Sequence, residues 1–196
     1  MGNTYKLCKT ERSAARQRQM EHSLLDLMSL KPFDQISVSD LCEYMQIPRK
    51  SFYRYFSNKE DTLHALLDHT MLEYDGFFTA QDAQDPHILE RALTQFFQFW
   101  ISRKQLLDAL ANNDLSATLV ERAILHMASD SAKSSHIPVD HRQYIRKQVS
   151  LFCISGLMSV VLSWHRDGFP YSAEQMASIT ATLVSQPMYP NLRTYF

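Results

Sequence analysis

Residues Ser37 to Leu63 read SVSDLCEYMQIPRKSFYRYFSNKEDTL. Ser37 followed three residues later by Asp40 is a box-like helix start, because each side chain can satisfy an amide of the other residue. Val38, Leu41, Cys42 and Met45 then recur at helical spacing and are expected to face inward. Gln46-Ile47 forms a turn. Pro48 opens the next helix, where its missing N–H costs nothing, and this helix is expected to end near Phe56. Its polar side carries Arg49, Lys50, Ser51, Tyr53, Arg54 and Tyr55, while Phe52 and Phe56, four apart, face inward. Ser57-Asn58-Lys59-Glu60 reads as a second capping box, opening a helix that reaches about Phe78. The stretch is a helix-turn-helix with phosphate-binding chemistry on its exposed side.

The rest of the chain fits around it. The sequence has 196 residues, 45% of them hydrophobic, which is enough for a sizeable core. Four Gly and seven Pro argue against a turn-dense all-β fold. The formal net charge of -1 does not advertise nucleic acid, but its distribution does. Lys6, Lys9, Arg12, Arg16 and Arg18 crowd the first twenty residues against Glu11 alone. Residues 48–59 hold Arg49, Lys50, Arg54 and Lys59 with no acid, whereas Asp75, Asp82, Asp85 and Glu90 come later. Counterion release depends on local contacts, so a basic face on a near-neutral chain suits DNA. Cys8, Cys42 and Cys153 have no C-x-x-C spacing, which leaves buried reduced thiols as the reading. The N-terminal residues show no apolar signal region, and no apolar run is expected to reach the ~18–20 residues of a membrane span. The expectation is a cytoplasmic protein.

Helical periodicity runs through nearly the whole chain. A first helix covers about 11–29, with Ala15, Met20, Leu24, Leu27 and Met28 on one stripe, and Pro32 stops it. Beyond the polar stretch Thr79 to Pro86, helices are expected over about 87–102, 103–111, 115–132, 140–166 and 172–185. Gly168 and Pro170 terminate the long one, and Ser172 with Gln175 caps the last. A loop containing Pro138 and an irregular tail from Pro187 complete the chain. The fold class is all-α, with about nine helices. It divides into an N-terminal three-helix DNA-binding domain, 1–57, and a larger helical bundle, 79–196, with helix 58–78 as connector.

Segment 12–63 resembles the DNA-binding domain of the tetracycline-repressor (TetR) family of bacterial regulators. The resemblance rests on Phe33, Ile36-Ser37-Val38, Asp40-Leu41-Cys42, Ile47, Phe52 to Phe56, Asn58-Lys59-Glu60 and Leu63. Gln46 stands where the family usually has Gly, so the turn must hold a positive φ with a side chain. Pro48 and Lys50 stand where small residues are common. A recognition helix enters the major groove by its N-terminal residues, here Arg49, Lys50 and Ser51, and Arg or Lys can donate to guanine O6 and N7. Tyr53 and Tyr55 can each offer a hydroxyl to phosphate. Arg54 suits a surface or intramolecular pair better than a base. Lys59 sits at a helix N-terminus that favours phosphate, and Ser37 and Ser39 can reach the backbone. Arg12, Arg16 and Arg18 either follow the minor groove or form a solvated charge run.

The resemblance further implies a homodimer on a palindromic operator and a C-terminal domain for an effector or partner. Helix 140–166 is apolar on more than one face, and Gly156 between Ser155 and Ser159 would admit a second helix; helix 173–185 would complete half of a four-helix interface. A central core helix in a monomer is the other reading. Phe96, Phe97, Trp100 and Phe152 are candidates to line an effector pocket, although an aromatic stripe also suits a plain core. The leading expectation is a repressor released by a small molecule, coupled through helix 58–78; the other is a bundle that docks a protein partner as co-activator or co-repressor. The eight His show no H-E-x-x-H or paired ligand spacing. No nucleophile elbow, Walker motif or dinucleotide fingerprint occurs either, so neither a metal, a cofactor nor an enzyme is expected.

Overall fold

The computed structural model describes residues 10–77, 87–132 and 141–185. Lys6, Cys8, Lys9, the polar stretch 79–86 where the domain boundary is expected, the Pro138 loop and the tail 187–196 lie outside them. Among the described residues there are nine α-helices and no strand, as the periodicity predicts. They are α1 (Glu11–Met28), α2 (Val38–Tyr44), α3 (Arg49–Phe52), α4 (Lys59–Phe77), α5 (Ile88–Ser102), α6 (Lys104–Ala111), α7 (Ser116–Ala132), α8 (His141–Arg166) and α9 (Ala173–Ser185). A single 3-10 turn, Phe33–Gln35, separates α1 from α2.

The caps explain where these helices begin. Thr10 accepts from the Ser13 N–H at the head of α1. At α2 the capping box is complete: Ser37 Oγ accepts from the Asp40 N–H at 3.2 Å, and Asp40 Oδ2 accepts from the Ser37 N–H at 2.7 Å. The Ser37 hydroxyl and N–H, with Lys31 2.9 Å away, hold the Asp40 carboxyl well below the usual carboxylate range. At α9 Ser172 and Gln175 exchange the same pair of bonds. At α4 the cap is shifted one residue from the expected Ser57. Asn58 Oδ1 accepts from the Asp61 N–H at 2.7 Å, and the Asp61 carboxylate reaches back to the Ser57 N–H at 3.1 Å. Gln46 does adopt the left-handed conformation, φ 53°. Helix α3 is shorter than expected, because Tyr55 N–H bonds back to Phe52 C=O at 2.9 Å, the tightened i→i+3 closure of a helix end.

The chain packs as two compact units. The first joins the described residues up to Met71 with Gln105–Met158; the second joins Leu72–Lys104 with the described residues from Ser159 onward. In the first, Met20, Leu24, Ile36, Leu41, Phe52, Phe56, Leu67, Leu107 and Leu110 are buried. Val38 and Met45 are only half-buried, and Ala15 is exposed, off the stripe expected for it. Polar clamps sit on this core. Arg122 of α7 holds the Asp68 carboxylate of α4 through Nε, at 2.7 Å, and Nη2. His69 Nδ1 lies 2.8 and 2.9 Å from the two oxygens of buried Glu21.

The tightest knot in this unit involves Asn113, just past α6. Its Oδ1 accepts from the Phe33 N–H at 2.5 Å; its Nδ2 donates to the carbonyls of Ala109 at 2.7 Å and Met28 at 3.4 Å. From the other side Lys59 Nζ donates to the Phe33 and Asp34 carbonyls at 2.6 and 3.1 Å, and lies 4.6 Å from the Phe33 ring centroid. Within the turn the Phe33 carbonyl accepts from the Ile36 N–H at 3.1 Å; Asn113 adds an acceptor for the Phe33 N–H and Lys59 a donor for the Phe33 and Asp34 carbonyls.

In the second unit α5 packs against α9. Ala173, Ala177 and Ala181, four apart, make a low ridge on α9, and all three are buried. Such a ridge leaves room for the bulky α5 face of Leu93, Phe96, Phe97 and Trp100. The rings meet edge-on: Phe96 with Phe97 at 5.3 Å, Phe99 with Trp100 at 5.4 Å, and Phe97 with Trp164 at 5.4 Å. Burial among them, with Asp75 adjacent, pushes the Tyr74 phenol up to about 12.

One expectation about α8 needs correction. Residues 147–166 are long and apolar enough, by length and composition, to cross a membrane. Serines, Gly156 and His165 are scattered along the stretch and conceal its apolar character, yet its only charges are Lys147 and Arg166. Core helices of soluble proteins pass the same test, although α8 is mostly unburied.

Two stability effects follow. Replacing Asn113 with Ala leaves the Phe33 N–H without its acceptor, so a loss of about 2 kcal/mol is expected, read as a lower urea midpoint at unchanged slope. An unaltered midpoint would show the clamp to be idle. Gln46→Gly removes the Cβ penalty at a left-handed position and is expected to gain roughly 0.5–1 kcal/mol; a loss would mean that the Gln46 side chain contributes contacts of its own.

Candidate nucleic-acid interface

Helix α3 presents two chemically distinct sides. Phe52 and Phe56 are fully buried and anchor it to the core. Arg49, Lys50, Tyr53 and Arg54 are exposed, and Ser51 and Tyr55 are half-buried beside them. The exposed side is therefore cationic and hydroxyl-bearing. Tyr53 is 51% exposed, with its ring edge-on to Phe52 at 5.6 Å, so the hydroxyl points from a supported ring. The helix is one turn long, so these side chains project from a short, rigid stub at the end of the α2 turn.

The sequence-derived candidates separate into three groups here. Arg49, Lys50, Ser51, Tyr53, Arg54 and Tyr55 share the α3 segment and its immediate continuation. Ser39 joins them, because Arg49 Nη2 donates to Ser39 Oγ across the α2–α3 angle. Ser37 and Lys59 have other partners. The Ser37 hydroxyl is occupied in the capping box, where it also donates to Asp40 Oδ2 at 2.7 Å. The Lys59 ammonium is engaged by the Phe33 and Asp34 carbonyls.

At the N-terminus Arg12 is exposed, and Arg16 donates to Gln19 Oε1 at 2.7 Å within α1. Asn113 and Lys31 were not among the sequence candidates. Lys31 pairs with Asp40, and Asn113 braces Phe33 from eighty residues away. An Asn closing a helix is common, so its sequence position alone carries no signal of that role.

The candidates for an effector pocket divide as well. Phe96, Phe97 and Trp100 are buried in the aromatic core of the second unit. Phe152 differs from them in exposure. It is 67% exposed on α8. Helical spacing marks which positions are apolar but not which apolar face the fold covers.

Comparison with known proteins bears mainly on the helix-turn-helix. Residues 23–66 match the profile of a family described as bacterial regulatory proteins, tetR family. The HTH-type dhaKLM operon transcriptional activator DhaS of Lactococcus lactis subsp. lactis (strain IL1403) is 33% identical over 63 residues, 32% of this chain and 34% of that protein. The match thus spans about a third of that relative's length. Among solved structures, the dihydroxyacetone kinase operon activator DhaS aligns with a TM-score of 0.54 at 18% identity, covering 87% of this chain and 94% of that one. The fatty acid degradation regulator FadR from Bacillus halodurans aligns with a TM-score of 0.52 at 14% identity, covering 90% and 96%. At these identities the two structures speak for the shared helical fold. Residues 23–66 thus carry a helix-turn-helix of the tetR type, set in a chain whose helical fold is shared with these regulators.

Proposed function

We propose that this chain is a transcriptional regulator that binds a two-fold operator as a homodimer, with α3 in the major groove. The observation that carries the reading is the α3 face, where cations and hydroxyls are exposed while the aromatic anchors lie buried behind them. Lys50 is assigned to a base edge, and Tyr53, Arg54 and Tyr55 to phosphates. Phosphate contacts fix register and carry most of the salt dependence, while base contacts carry the sequence preference. DNA of this kind is met in the cytoplasm of a bacterium, which is where the regulator would act.

Dimerisation is supported by α8 and α9. Along α8 the residues Ile145, Val149, Phe152 and Gly156 recur at spacings of four, three and four, and all are exposed. Val149 is 55% exposed, and a Cβ added at Gly156 would meet nothing within 4 Å. On α9, Leu183 and Val184 are 57% and 60% exposed. Isolated exposed apolar residues need no explanation, but a continuous stripe marks an association surface. A second copy of the chain is the occupant proposed, because a two-fold pair would set two α3 helices about one DNA turn, ~34 Å, apart.

Control by a small molecule is favoured over a docked protein by two atoms of the second unit. Trp100 Nε1 and Thr180 Oγ1 are buried and have no hydrogen-bond partner among the described residues. A buried donor left unpaired costs ~1–3 kcal/mol, which a ligand acceptor would recover. The ligand must bind the operator-incompetent state better than the competent one to act as a release signal. Repression by operator occupancy is the simplest outcome. The curated relative DhaS, which matches over the helix-turn-helix, is described as an activator, the opposite sign.

Fluorescence anisotropy against DNA from upstream of the gene, over a salt series, tests the reading. Binding should resist competitor DNA and weaken steeply with salt; weak, sequence-blind binding would overturn it. Lys50→Ala is expected to shift base preference at one position of each half-site by about tenfold. Tyr53→Phe should weaken preferred and random DNA by the same factor, and unequal losses would contradict the phosphate assignment. Phe152→Glu, at an exposed position, should leave helicity intact and halve the mass seen by sedimentation; an unchanged mass would remove α8 from the interface.

A further inference from the structure

We propose that Ser39 is a positioning residue for sequence readout, holding the Arg49 guanidinium at the angle from which it meets a base. This rests on the DNA-binding reading above and assigns Ser39 a task different from a phosphate contact. Arg49 is the first residue of α3, preceded by Pro48 at its cap, and so stands at the end of the helix that enters the groove. Its side chain is exposed. An exposed arginine at a helix start ordinarily samples many rotamers, which carry roughly 2 kcal/mol of entropy. Here Nη2 donates to Ser39 Oγ, from the second residue of α2.

The chemistry of the pair suits a brace. A guanidinium has five N–H donors in a fixed plane, and a serine hydroxyl takes one of them. Nη1, Nε and the second Nη2 hydrogen remain for a bidentate contact with a guanine edge. With the side chain tethered at α3 by its stem and at Ser39 through Nη2, fewer rotamers of Arg49 remain open than for an unbraced arginine. Ser39 sits on a helix whose own start is locked by the Ser37–Asp40 box and by the Lys31–Asp40 pair. The brace is thus referred back to a rigid element through two residues of sequence. Lys50, next along α3, is exposed, and the α2 brace acts on Arg49.

The role predicts loss of discrimination, which is different from loss of affinity. The test is selection from a randomised DNA pool followed by measured affinities, using the full-length wild type, Ser39→Ala, Ser39→Thr, Arg49→Ala and the Ser39→Ala/Arg49→Ala double variant. Ser39→Ala should reduce the preference at the base pair that Arg49→Ala identifies, on the order of fivefold, as the ordering cost is moved from folding to binding. Ser39→Thr keeps the hydroxyl and should keep the preference. In the Arg49→Ala background the Ser39→Ala change should have no further effect on that preference. Equal weakening of all sequences by Ser39→Ala, with the preference intact, would make Ser39 a phosphate contact and overturn the inference. Additive losses in the double variant would overturn it too. A wild-type protein without any sequence preference would instead remove the DNA-binding reading on which it stands. Circular dichroism of each variant separates these outcomes from misfolding.

Discussion

The helix-turn-helix of this protein depends on how the backbone at Phe33 is held. Between α1 and α2 the chain passes through a short 3-10 turn whose backbone is held by side chains from elsewhere as well as by its own bonds. Asn113 takes the Phe33 N–H, and Lys59 takes the carbonyls of Phe33 and Asp34, with its ammonium over the Phe33 ring. Three segments distant in sequence therefore meet on two residues. The angle at which α2 leaves α1 is set there, and α2 in turn carries the turn and α3. Relaxing that junction would displace every side chain on the α3 face together.

The same junction explains why local charge is a poor guide to contacts. Arg49, Lys50, Arg54 and Lys59 look equivalent as a basic run. Lys59 is spent on carbonyl dipoles, and Arg49 is tied through one nitrogen to Ser39. Lys50 and Arg54 stay exposed. A lysine suits the Lys59 site because its compact ammonium has three donors and can serve two carbonyls at once. An arginine suits the Arg49 site because one edge of its plane can be held while the other stays open.

Much of the architecture is readable without coordinates, for reasons that are local. Ser37 with Asp40 and Ser172 with Gln175 are capping boxes whose partners lie three residues away, and both form as written. Gln46 takes the left-handed conformation that its place in the turn demands. What sequence reading misses is long-range or depends on which face is covered. The α3 helix closes early through a tightened turn that propensity does not signal. Asn58 takes the cap of α4 in place of Ser57, since either residue suits an N-cap and only the backbone path chooses. Phe152 and Phe97 are alike in a helical wheel, yet one is exposed and the other fully buried. The brace from Asn113 spans eighty residues and has no local signature at all.

The placement of the two tryptophans has a consequence for spectroscopy. Trp100 and Trp164 are the only tryptophans in the chain, and both belong to the second compact unit. Trp164 donates through Nε1 to the Tyr171 carbonyl at 3.1 Å and stacks edge-on against Phe97 and Phe169. Intrinsic emission therefore reports on that unit's core, whereas the helix-turn-helix contains no indole and is silent. Ellipticity samples the helices of both. A denaturation curve followed by emission describes the unit without the helix-turn-helix, and agreement between the two optical signals becomes the criterion for whether the chain melts as one cooperative body.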